Sequence, residues 1–215
     1  MMTNRRIECL RRMRRDTSGV SVVEFALMLP LLFMIGAGGL ELINYVLANQ
    51  KIERIASITA DNVARNTLAP SERSIVDTFA GVNEIAEPFD FDANGRVIMT
   101  GVIGVASGSN VVGKVVWQRC SGGLAGITST VGSQPANPAL WANGPNATLP
   151  NNLTLLQNQL IVVAEVAFAY DPLISLARLP GTGEEGILRQ RSVFVSRGQA
   201  FPNVTPSPNT TPATC

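Results

Sequence analysis

An α+β fold is predicted, with one long N-terminal helix packed on an antiparallel sheet of about four strands, and three observations predict it. An apolar run covers residues 20–47, with Glu24 and Glu41 its only charged members. The 3.6-residue stripe Ile52, Ile55, Ala56, Thr59 and Val63 carries that run onward without a break. Beyond Pro88 the pattern changes to segments rich in valine, isoleucine and threonine, the composition of strands.

Each element has its own local signal. The helix begins near Val20 and extends as a rod of about 45 residues, apolar on all sides in its first half and on one face in its second. Lys51, Glu53, Arg54, Asp61 and Arg65 fall off the apolar face of the second half. Pro30 removes one backbone bond, which membrane helices tolerate, and Gly36, Gly38 and Gly39 form a small-faced stretch. Pro70 ends the rod, and Ser71 caps a second helix over residues 71–79. Strands are expected at 97–105 and 111–119, joined by the turn-forming Ser107-Gly108-Ser109-Asn110, and again at 160–170 and 188–197. Residues 121–158, rich in Gly, Ser, Asn and Pro, read as a long irregular loop, and 202–214 lack helix or strand signals.

A length of 215 residues suits one membrane anchor and one domain, and an apolar share of 46% leaves enough for a core once the anchor is set aside. The net charge of +1 conceals an asymmetry: residues 1–19 carry +4 and the remainder −3. Arg5, Arg6, Arg11, Arg12, Arg14 and Arg15 abut the apolar run, so they fix membrane orientation with the N-terminus in the cytoplasm rather than bind nucleic acid. The expected organisation is a basic cytoplasmic leader at 1–19, a transmembrane helix at 20–48 and an extracytoplasmic α+β domain at 49–215. Cys9 then lies on the cytoplasmic side, whereas Cys120 and Cys215 lie outside, where an intramolecular disulfide is expected against two free thiols or an intermolecular bond.

Catalysis finds little support. The chain has no histidine, which excludes Ser-His and Cys-His nucleophile arrangements and histidine metal sites. Gly181-Thr182-Gly183 lacks the lysine of a phosphate loop, and Glu184-Glu185 reads as solvated surface. Asp90-Phe91-Asp92-Ala93-Asn94-Gly95 matches the first half of a calcium loop, but Gly101 stands where the bidentate glutamate belongs. An Asn-Gly turn between extended segments explains those residues, and no metal or cofactor is expected.

The chemistry concentrates in Gly19-Val20-Ser21-Val22-Val23-Glu24-Phe25. A carboxylate in an apolar run costs about 2.5–3.5 kcal/mol at a bilayer centre and less near an edge, so Glu24 calls for a compensating role. Gly19 offers a backbone that enters a narrow peptidase cleft without a side chain in the way. The arrangement is that of a class III signal, cut after the glycine. A secretory signal is the competing reading, but Glu24 interrupts the start of its apolar region and no good small-x-small site follows.

This segment, continued by Ala26-Leu27-Met28-Leu29-Pro30 and by Gly39-Leu40-Glu41, resembles the N-terminus of the TadE-like family, the TadE and TadF minor pseudopilins of the tight-adherence, or Flp, pilus system. Trp117-Gln118-Arg119-Cys120 and the strand ending in Asp171-Pro172 look, less specifically, like that family's periplasmic strands. The resemblance implies a single-pass protein of the bacterial inner membrane with a periplasmic C-terminal domain, acting structurally in pilus biogenesis, adhesion and secretion and not as an enzyme. It implies cleavage between Gly19 and Val20 by a prepilin peptidase, with Glu24 and Phe25 in processing and assembly. A neighbour's Glu24 would pair with the new α-amino group of Val20. The implied partners are that peptidase, the inner-membrane assembly platform, other pilins and pseudopilins, and the lipid bilayer. The alternative is an uncleaved, signal-anchored binding module or adhesin displaying residues 121–158.

Overall fold

A computed structural model of the chain describes residues 19–66, 68–173, 186–198 and 203–215. The six leader arginines, Cys9 and residues 181–185 lie outside the described residues. The chain divides into two compact units, Met1–Asn44 and Tyr45–Cys215.

The described part of the first unit is helical. Helix α1 covers Val20–Ala64, 45 residues with Pro30 inside, and is therefore the rod that the apolar pattern predicts. Its first half is long and apolar enough to cross a membrane, and none of the most apolar stretch is buried.

In the second unit the one-faced pattern of α1 becomes core. Ile52, Ile55, Ala56, Thr59 and Val63 are all buried, as is Ala60, while Glu53, Arg54 and Arg65 are exposed. Thr59 is tolerated there because its hydroxyl donates to the Ile55 carbonyl at 2.6 Å. Helix α2 follows at Glu72–Ala80, capped by Ser71, whose side chain accepts from the Ser74 amide. Two short helical turns, α3 (Val82–Ala86) and α4 (Phe91–Asn94), lead into the sheet. α4 corrects the expected Asn-Gly turn: Asp90 caps a helical turn by accepting from the Ala93 amide at 3.2 Å, and Gly95 opens the first strand.

The sheet comprises β1 (Gly95–Ser107), β2 (Asn110–Ser121), β3 (Leu160–Ala169) and β4 (Ile187–Val195). Its order is β2-β1-β3-β4 with every pair antiparallel. The β1–β2 hairpin closes through Gly108 at φ +62°, a conformation that glycine adopts without steric cost. Val97, Met99, Val162, Val166 and Trp117 face the helices and form one core with Ile55, Ala60 and Ile75. Phe168 stacks on Phe91 at 6.0 Å and meets Phe89 edge-on at 5.7 Å.

Residues 121–158 are not merely a surface loop. They cross the opposite face of the sheet, where Val131 and Leu155 pack with Val102, Val115, Ile161 and Val163 in a second core. Within them Pro138–Asn143 and Pro150–Asn152 form 3-10 turns, and Asn146 bridges to Lys114.

Candidate anchor and assembly segment

At the start of α1 the backbone of Gly19 forms the first turn: its carbonyl accepts from the Val23 amide at 3.1 Å. A Cβ built on Gly19 meets nothing within 4 Å, so no intramolecular contact demands glycine there. The neighbouring Val20 and Phe25 are exposed by 49% and 61%. Glu24 is also exposed and lies four residues along from Val20, about 6 Å on the helix axis. Its helical neighbours at i−4, i−3, i+3 and i+4 are Val20, Ser21, Leu27 and Met28, so the carboxylate is the one charge on a mostly apolar face. Among the described residues it has no ion-pair partner. From Phe25 to Leu40 the exposed face is built from Leu, Met, Phe and Ile side chains, Phe33 reaching 74% exposure. A surface of that kind is covered by lipid or by other helices.

The remaining candidate residues lie at the far end of the chain, in the second unit. Cys120 and Cys215 form a disulfide, with their Cα atoms 5.0 Å apart. The tail it secures is also held by backbone bonds at Thr205 and Ala213. Thr205 exchanges backbone bonds with Pro70 and Glu72, and the Ala213 carbonyl accepts from the Cys120 amide at 2.7 Å. Two charged residues not singled out by their sequence context belong to this arrangement. Arg119, on β2, forks onto Glu72 in the first turn of α2, its Nε 3.0 and 2.9 Å from the two carboxylate oxygens, and both side chains are buried. Its Nη1 donates to the Gln118 carbonyl at 2.8 Å, so the pair also ties down the strand. The only sequence signal was chemical: an arginine inside an apolar strand requires a carboxylate to meet it.

The sequence-predicted residues thus fall into two sets, one in each unit: Gly19, Val20, Glu24 and Phe25 on α1, and Cys120 with Cys215 beside the sheet. The motif Asp90 to Gly95 serves as a helix cap and strand start. Gly101, at the position of the missing calcium ligand, lies against the Trp117 indole.

Residues 19–65 match the family model of TadE-like proteins. No curated protein and no solved structure matches the chain. The match begins at Gly19 and covers the whole of α1, the apolar helix suited to a single-pass anchor. The chain therefore carries a TadE-like segment over residues 19–65.

Proposed function

We propose that the chain is a minor pilin-like subunit of a tight-adherence pilus system, anchored by α1 and acting through helix docking in the membrane rather than through catalysis. In this reading residues 1–19 form a cytoplasmic leader, the membrane span covers residues 20–48, and the domain from residue 49 lies on the periplasmic side of the bacterial inner membrane. A prepilin peptidase cuts between Gly19 and Val20. The new α-amino group of Val20 is then a cation at the depth of Glu24 carboxylates on neighbouring subunits, and pairing relieves the cost of both charges in an apolar medium. The assembly platform and other pilins and pseudopilins are the partners of the exposed apolar face.

The observation that carries this reading is the isolated Glu24 carboxylate on an exposed apolar helix whose first turn starts at Gly19, where the family match also begins. Sequencing the mature N-terminus tests the processing step: a chain starting at Val20 is expected. One that still starts at Met1 or Met2 favours the uncleaved, signal-anchored binding module. The docking step is tested separately by Glu24→Gln, which is expected to insert in the membrane but to be deficient in assembly. Normal piliation in that variant would refute the pairing role.

A further inference from the structure

The face of the sheet beneath residues 121–158 carries a second patterned site. Strand register places Arg96, Ala167 and Arg189 in one row across β1, β3 and β4, and Ile98, Glu165 and Arg191 in the next. All six share the face of Ile161 and Val163, opposite to the helices, because side chains alternate along a strand. Glu165 is the natural partner of Arg191, directly across from it, yet it is engaged elsewhere. Its oxygens accept from the Thr130 amide at 3.0 Å and from the hydroxyls of Ser129 and Thr130. No ion pair forms among Glu165, Arg189 and Arg191.

Arg189 and Arg191 are exposed and line a cleft of about 330 Å³, floored by Ile98 and Ile127. An adjoining cleft of about 740 Å³ shares Ile98 and Ile127 and contains Arg96. Arg96 donates through Nη1 to the Gly122 carbonyl at 3.0 Å, while its Nε is buried with no hydrogen-bond partner. The site thus has three guanidinium groups around an apolar floor, with its one carboxylate already occupied.

We propose that this cleft binds an extended acidic peptide segment of a partner protein, with carboxylates at alternate positions. Residues i and i+2 of an extended chain present side chains on one face about 6.6 Å apart, the repeat that sets Arg189 and Arg191 along β4. Each planar guanidinium donates a two-bond fork to one carboxylate, while the intervening side chain of the peptide points to the opposite face. Among the described residues β4 is the terminal strand of the sheet, so its outer side accommodates an extended segment. A compact inorganic anion reaches too few of these groups to use the arrangement. The site is independent of whether Gly19 is cleaved.

Fluorescence anisotropy on the full chain in detergent micelles tests this, with a labelled pentapeptide alternating valine and glutamate as the probe. The probe is expected to bind, more weakly as salt rises. Arg189→Gln with Arg191→Gln is expected to raise Kd at least about tenfold at an unchanged unfolding midpoint, since each lost bond to a charged group weighs enough for that. The proposal is overturned if the native chain does not bind the probe. Equal binding of the glutamine version, or an unchanged Kd in the double variant, overturns it too. So does an anionic polysaccharide or inorganic phosphate binding this cleft where the peptide does not.

Discussion

At the scale of single residues, buried charge sets the largest expected effects. Glu72 and Arg119 are shut away from solvent, and removing one partner leaves the other an uncompensated ion. Arg119→Met is expected to lower the stability of the second unit by about 3–5 kcal/mol, whereas Arg119→Met combined with Glu72→Leu should recover much of that, since well-packed apolar pairs often replace buried ion pairs without loss. Urea unfolding followed by tryptophan emission reads both, and equal losses in the single and double variants would contradict the account. A smaller effect belongs to Gly101. A Cβ there would stand 2.3 Å from the Trp117 ring, so Gly101→Ala forces the indole or the strand to shift. Overpacking of that kind costs about 1–3 kcal/mol, and the same unfolding curves measure it.

At the scale of elements, α1 is one helix with two chemistries, and substitutions should separate them. Ile55→Ala opens a cavity where the helix meets the sheet and is expected to cost about 2–5 kcal/mol. Leu27→Ala, at a side chain 73% exposed, should leave the unfolding of the second unit unchanged. The exposed Asp61 and Arg65 pair adds a pH dependence on the same helix. Arg65, through its hydrogen bond above all, holds the Asp61 carboxyl below the usual carboxylate range, against opposition from desolvation. A depressed folded-state value means the contribution is complete above the ordinary carboxylate range and disappears as pH falls through the depressed value. Asp61→Asn should therefore remove a small acid-side loss, visible as a shallower decline in thermal midpoint below the usual carboxylate range. The elements themselves were legible because their signals are periodic: the stripe from Ile52 to Val63, the Ser71 cap and four apolar strand segments all appear within one or two positions of where the pattern puts them. α4 was not legible, since four residues are too few for a period and the Asp90 cap competes with a turn reading of the same letters.

At the scale of the whole molecule, what escaped the sequence was long-range closure. Residues 121–158 have no period because their order comes from isolated bonds to the sheet: Gln118 to Gly132, Lys114 to Gly144, and Glu165 to Ser129 and Thr130. Nor does anything local link Glu72 to Arg119. The Cys120–Cys215 bridge, by contrast, was expected from the sequence, against two free thiols or an intermolecular bond, and it forms. Together these contacts cover the outer edge of β2: the Ala147 amide reaches the Gly113 carbonyl, the Gln134 side chain accepts from the Gln118 amide, and the tail carbonyl of Ala213 accepts from the Cys120 amide. Covering a sheet edge in this way prevents pairing with another chain. The disulfide spans 95 residues, and in the chain-entropy account a loop that long stabilises by several kcal/mol, about 4–5 at 25 °C. Cys215→Ser is thus expected to lower the unfolding free energy by about 2–5 kcal/mol and to release the tail, exposing the Cys120 amide. Hydrogen exchange at that amide should rise well before global unfolding, together with faster proteolysis after residue 203. Protection equal to that of the native chain would mean that the backbone bonds of Thr205 and Ala213 hold the edge without the covalent link.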